Sequence, residues 1–105
     1  INTIETGKGN DTISSIDGTN TILGGDGDNS ITTGNGVDVI TTLGGNDTVV
    51  SGDGNSTINV GDGVNNVTSG TGNDAITSGS GNDTIAAGDG DNTIIASNGI
   101  NIINY

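Results

Sequence analysis

The 105-residue chain contains no cysteine, histidine, methionine, tryptophan, phenylalanine or proline, and one tyrosine. Thiol chemistry, zinc sites built on sulfur or imidazole, and haem ligation are thereby excluded. The lack of cysteine leaves the redox compartment open. Basic side chains are almost as scarce, with Lys8 alone against 13 carboxylates and a net charge of −12. That balance argues against nucleic acid and anionic membranes as partners and favours cations. No apolar run approaches the ~20 residues that span a bilayer, so membrane insertion is not expected, and no charged-then-apolar leader is present. The chain begins at Ile1 rather than Met, as expected of a processed product or an excised piece.

Glycine, by contrast, is abundant, with 21 residues, and the chain has a period of nine. A branched aliphatic recurs at Ile4, Ile13, Ile22, Ile31, Ile40, Val49, Ile58, Val67, Ile76, Ile85, Ile94 and Ile103. Glycine keeps the same spacing from Gly9 to Gly99, always four residues before the next aliphatic. A short strict period without insertions implies stacked copies of one unit, hence a single repeat domain over 1–105. Helix is excluded, because each interior glycine costs about 1 kcal/mol there and no 3.6-residue periodicity occurs. Aliphatics flanked by Thr, Ser and Val, as at 10–14 and 38–42, predict short strands with one buried side chain, and the glycine-rich remainder predicts turns. Because every unit is equivalent, the strands cannot pair as hairpins. The fold expected is all-β, a parallel β-solenoid with layers about 4.8 Å apart.

Counting each nonapeptide so that the glycine is position four and the aliphatic position eight gives eleven full blocks from Thr6 to Asn104. Position six holds Asp11, Asn20, Asn29, Asp38, Asp47, Ser56, Asn65, Asp74, Asp83, Asn92 and Asn101. Position three holds Lys8, Asp17, Asp26, Asn35, Gly44, Asp53, Asp62, Thr71, Ser80, Asp89 and Asn98. Each of the first ten blocks has one Asp at one of these two positions, never both, and the pattern recurs every 36 residues. Thirty-six residues are two coils of 18 but not a whole number of 27-residue coils, so the spacing predicts two nonapeptides per coil and about six coils.

The blocks at 7–14 (GKGNDTIS), 70–78 (GTGNDAITS), 79–87 (GSGNDTIAA) and 88–96 (GDGDNTIIA) resemble the repeats-in-toxin (RTX) nonapeptide, Gly-Gly-x-Gly-x-Asp-x-aliphatic-x. The resemblance covers essentially the whole chain. It implies a right-handed β-roll with two nonapeptides per turn and Ca²⁺ between adjacent glycine-rich turns, held by turn carbonyls and the position-six Asp. The ligands so implied are Asp11, Asp38, Asp47, Asp74 and Asp83. The chain departs from the pattern at several places. Position one is glycine only at Gly24, position two is Ile16, Leu43 or Ser97 in three blocks, and six of the eleven full blocks carry Asn or Ser at position six.

The residue chemistry fits that ion, because Ca²⁺ takes six to eight hard oxygens and a turn of Gly, Asp and Asn offers only oxygens. Two carboxylates would meet at a gap between turns, pairing Asp11 with Asp26, Asp47 with Asp62, Asp38 with Asp53, and Asp74 with Asp89. The candidate ligands are therefore Asp11, Asp17, Asp26, Asp38, Asp47, Asp53, Asp62, Asp74, Asp83 and Asp89. A metal-independent solenoid accounts for the same alternation. Carboxylates stacked about 4.8 Å apart repel by about 1 kcal/mol in water, and interleaved Asn or Ser relieves this, with Asn side chains bonding layer upon layer.

Other motifs carry less. Asp26-Gly27-Asp28-Asn29 begins like an EF-hand loop but lacks its sixth-position glycine and closing glutamate. The sequons at Asn10, Asn46, Asn55, Asn66 and Asn82 follow from the repeat itself. An enzyme is not expected, since Lys8 is the only partner for the carboxylates. Outward positions seven and nine pair Thr12 with Ser14, Ser30 with Thr32, Thr57 with Asn59 and Thr84 with Ala86. An ice- or glycan-binding face is a minor alternative, interrupted by Leu23, Val39, Val50, Ala75 and Ile95. The ends, opening at Ile1–Ile4 and closing at Ile100–Tyr105, carry no polar cap, which fits a cut array or head-to-tail stacking. The expectation is a secreted, extracellular or cell-surface bacterial module, a Ca²⁺-stiffened spacer or filament subunit that self-associates end to end, with cell-surface or matrix partners. The alternative is a calcium-independent solenoid polymerising into a matrix fibre.

Overall fold

The computed structural model describes residues 1–105 and contains only strands and turns. Strands β1 (Asn2–Glu5), β3 (Asn20–Gly25), β5 (Val39–Thr42), β7 (Thr57–Val60), β9 (Ala75–Ser78) and β11 (Thr93–Ala96) form one parallel sheet. The second sheet is built from β2 (Thr12–Ser14), β4 (Ser30–Thr32), β6 (Thr48–Val50), β8 (Asn66–Thr68), β10 (Thr84–Ala86) and β12 (Ile102–Asn104). Each strand pairs with the one 18 residues away, so that Ile22 lies between Ile4 and Ile40, and Val49 between Ile31 and Val67. The two-nonapeptide coil and the six layers are as the 36-residue pattern predicts. The result is a slab of 34 × 33 × 13 Å, thin because only one layer of side chains separates sheets that pack about 10 Å apart.

The aliphatic ladder fills that layer. Ile13, Ile22, Ile31, Ile40, Val49, Ile58, Val67, Ile76 and Ile85 are buried, and Val60 and Ala87 join the same cluster. Position eight is not the only inward row, however. Positions six and one are buried as well, at Asn20, Asn29, Asp38, Asp47, Ser56, Asn65, Asp74 and Asp83 on one side and Thr33, Thr42, Ser51, Val60, Ser69, Ser78 and Ala87 on the other. Strand alternation accounts for this, because six, eight and the next position one are each two residues apart and share a face. Positions seven and nine point outward, and Leu23, Val39, Val50 and Ile95 are exposed there among Thr, Ser and Asn.

The turns are stacked as regularly as the strands. Of 55 backbone hydrogen bonds, 29 lie outside strand pairing, most of them running from coil to coil, as from the Gly36 N–H to the Asp53 carbonyl at 2.7 Å. Position four explains its glycine twice over. All eleven adopt φ between 117° and 145°, a region that side chains rarely enter, and from Gly27 onward a Cβ would run into the position-four carbonyl of the preceding coil.

Gly54→Ala is accordingly expected to destabilise the fold by about 1–3 kcal/mol from backbone strain alone, with the collision against Gly36 in addition. Gly44→Ala should stay within about 0.5 kcal/mol, since a Cβ there meets only the Asp26 carboxylate at 3.8 Å. Thermal unfolding followed by circular dichroism compares the two.

Candidate metal centre

Position six lines the inner wall of both turn edges. On one edge the order is Asp11, Asn29, Asp47, Asn65, Asp83, Asn101, and each Oδ1 after the first accepts the backbone N–H of the residue one coil earlier at 2.8–3.0 Å. On the other edge the N–H groups of Asn20, Ser56 and Asp74 donate to Oδ1 of Asp38, Asp74 and Asn92 in the same way. For this bond Asp and Asn are equivalent, because each presents one carbonyl-like oxygen in one place. The ladder is side chain to backbone, joined at one step by Asn20 Nδ2 donating to Asp38 Oδ1 at 2.8 Å. The expected bonding of Asn side chains to one another is found only between Asn2 Nδ2 and Asn20 Oδ1, at 2.8 Å in the first two coils. Elsewhere the alternation leaves no two Asn adjacent on an edge.

The second side-chain atom separates the two residue types. In the Asn turns, Nδ2 donates to the carbonyls that the turn turns inward at positions two and four. These contacts are Asn20 to Ile16 and Gly18 at 3.0 and 3.3 Å, Asn29 to Gly25 and Gly27 at 3.3 and 3.0 Å, and Asn65 to Gly61 and Gly63 at 3.1 and 3.5 Å. Asn92 reaches Ala87 and Gly88 at 3.2 Å, and Asn101 reaches Ser97 at 3.1 Å. In the Asp turns the same place is held by an acceptor. Oδ2 of Asp11, Asp38, Asp47, Asp74 and Asp83 is buried without a hydrogen-bond partner, and this is every position-six Asp in the chain. The hydroxyls of Thr42 and Ser78, at position one of the Asp47 and Asp83 turns, are unpartnered too.

A buried carboxylate oxygen without a donor is costly. In the equivalent Asn turns this place faces the carbonyls of positions two and four, so in an Asp turn it offers oxygens alone, a donor set of the kind a hard cation takes. The donor set therefore fits Ca²⁺.

Position three is built differently. Asp17, Asp26, Asp53, Asp62 and Asp89 are exposed. Oδ1 of Asp17, Asp53 and Asp62 accepts the N–H of Asn35, Thr71 and Ser80 in the next coil at 2.7–2.9 Å, the reverse direction to the inner ladder. Each of these carboxylates lies over a position-two glycine, Gly34, Gly70 or Gly79, where a Cβ would strike it. Above Asp26 that glycine is replaced by Leu43, and the bond to the Gly44 N–H lengthens to 3.3 Å.

The ten candidate ligands thus fall into an inner set with a free oxygen and an exposed outer set, of which Asp17, Asp26, Asp53 and Asp62 are already bonded to backbone. No three carboxylates converge on one point, so most ligands for any cation in these turns must be carbonyls. The resemblance implies turn carbonyls as ligands, but neither which carbonyls point inward nor the position-one hydroxyls can be picked out from sequence. Every residue has a carbonyl, and only the fold says where it points. The surface depressions are open, and the one lined by Glu5, Lys8, Leu23, Asp26 and Leu43 brings the sole lysine near two carboxylates.

Residues 1–15, 14–49, 41–76 and 68–103 match four copies of the family model described as the RTX calcium-binding nonapeptide repeat. No curated protein and no solved structure matches the chain.

At the outer ladder, Asp53→Asn keeps the acceptor for the Thr71 N–H and is expected to leave stability unchanged, whereas Asp53→Ala should lose about 0.5–1.5 kcal/mol. Chemical denaturation of the two variants in the same buffer measures the difference.

Proposed function

The chain belongs to the RTX calcium-binding nonapeptide repeat family, and from that premise we propose that it is a calcium-stiffened structural module of a secreted bacterial protein. The cofactor of these repeats is Ca²⁺. The residues that would hold it are Asp11, Asp38, Asp47, Asp74 and Asp83, each with the carbonyls of positions two and four in its own turn. The outer carboxylates Asp17, Asp26, Asp53, Asp62 and Asp89 add negative potential at the same edges and draw the ion in. When bound, the ion supplies charge neutralisation and cross-links a turn through its oxygens.

The observation that carries this reading is the unpartnered, buried Oδ2 at every position-six Asp. A fold built only to space charge has no need to bury a carboxylate oxygen without a donor. The 18-residue register, interrupted only by a slip between Leu23 and Gly25, suits a stiff spacer, and the same coil repeated across copies would extend it end to end as a filament. Cell-surface or matrix partners belong to the same proposal. The role proposed is structural rather than catalytic, in keeping with the structural character of the repeat fold.

Ca²⁺ added to chelator-treated protein is expected to raise the β signal and the melting temperature. Each site occupied at 100 times its Kd contributes about 2.7 kcal/mol. Mg²⁺ should do less at equal concentration, because it demands tighter octahedral geometry and sheds water reluctantly. Identical melting curves in excess calcium and in excess chelator would overturn the proposal in favour of a calcium-independent solenoid.

A further inference from the structure

We infer that asparagine at position six is a built-in replacement for the cation, so that alternate coils close without metal and the chain takes one ion per position-six Asp, five in all rather than one for each of eleven turns. The ion count rests on the calcium reading above. The asparagine half rests on hydrogen bonds alone.

The first support is geometric. Oδ1 makes one and the same bond whether the residue is Asp or Asn, so the two side chains sit alike and differ at one atom. In Asn65 that atom carries two hydrogens and donates to the Gly61 and Gly63 carbonyls. In Asp47 and Asp83, one coil to either side, it is an oxygen without any donor. The amide therefore does with two N–H groups what a cation would do with positive charge. It satisfies the inward carbonyls of Ile16, Gly18, Gly27 and Gly63, which accept no backbone N–H, and adds a second donor to those of Gly25 and Gly61, which also accept the Leu43 and Gly79 N–H groups.

The second support is the identity of the neutral residues. Charge spacing alone would accept any small uncharged side chain between two carboxylates. Position three shows what such tolerance looks like, with Lys8, Asn35, Gly44, Thr71, Ser80 and Asn98 in its non-Asp places. Position six is far narrower. Its non-Asp places are Asn20, Asn29, Asn65, Asn92 and Asn101, joined by Asn2 in the leading partial unit, with Ser56 the lone exception.

That exception behaves as the inference requires. The Ser56 hydroxyl is too short to reach the turn carbonyls, and it is buried without a partner, as is the Ser51 hydroxyl in the same turn. This turn has neither ion ligand nor amide, which makes Ser56→Asn a repair.

The test uses the full chain, calcium alone as ligand, isothermal titration calorimetry for stoichiometry, and circular dichroism melting in chelator. Wild type is expected to saturate at five ions and Asp47→Asn at four, while Asn65→Asp gains one and reaches six. In chelator, Asp47→Asn should melt above wild type and also above Asp47→Ser, which removes the same charge but supplies no amide. Ser56→Asn should melt above wild type, and Asn65→Asp below it. Asp47→Asn melting no higher than Asp47→Ser overturns the amide replacement even where calcium binds. Unchanged stoichiometry in Asn65→Asp overturns it as well. A wild type that binds no calcium, with Asp47→Asn still melting above Asp47→Ser, overturns the calcium reading and its ion count but supports the asparagine role.

Discussion

Each coil hydrogen-bonds only to the coils before and after it, with Cα partners 18 residues apart except at one slip in β3 between Leu23 and Gly25, and this register makes each side chain the neighbour of its own counterpart. Like stacks on like wherever the repeat is strict. For aliphatics the consequence is favourable. Ile22, Ile40, Ile58 and Ile76 form one unbroken row, and Ile13, Ile31, Val49, Val67 and Ile85 form the opposing one, so a core only one side chain thick is continuous from end to end. For glycine the same superposition is restrictive. A Cβ at Gly45 or Gly63 would collide with the carbonyl of the glycine one coil earlier, so the close approach of the turns depends on bare backbone at position four in successive layers.

For polar groups the register is a hazard that two ladders of opposite direction convert into bonds. At position six a side-chain oxygen accepts from the coil before it. At positions three and five it accepts from the coil after it, as when the Asn35 N–H donates to Asp17 and the Val64 N–H donates to Asn46. Turn amides that a strand ladder would leave open are thereby paired on both the inner and the outer rim. Leu43 marks the tolerance of the scheme. Without glycine at position two, the Asp26 carboxylate stays in place but its bond stretches to 3.3 Å.

The period of nine and the 36-residue alternation of Asp were enough to read the solenoid, the two-nonapeptide coil and the six layers, because those follow from superposition alone. The inward rows were only partly legible. Ile58 is conspicuous by its recurrence, whereas Ser51 and Asn65 look like turn residues until the alternation of strand faces is carried through the bend. The cradle was legible in its carboxylates but not in its carbonyls. The resemblance sets Asp47 at position six apart from Asp62 at position three, but only the fold shows that one is buried with a free oxygen while the other is exposed and already bonded to the Ser80 N–H. A clue was nonetheless present, since the neutral residues of position six are nearly all one amino acid and those of position three are not.

The difference between Asp and Asn at position six therefore sets two properties at once. Interleaving doubles the separation of inner carboxylates from about 4.8 to about 9.6 Å, which halves their direct repulsion at a given dielectric. It also places a metal-independent turn on each side of nearly every ion-dependent one. A stack of Asp turns alone would gather all its unpaired charge along a single line in the absence of cations. A stack of Asn turns alone would hold its turns by hydrogen bonds and gain nothing from calcium. In the alternating stack, each Asp turn is held by backbone bonds to neighbours that need no ion, which lowers the ordering cost that an ion must meet on binding. Ser56 is the one break in that arrangement. It lies between Asp38 and Asp74 with no amide to close its turn, which places the least supported point of the roll near the middle of one edge.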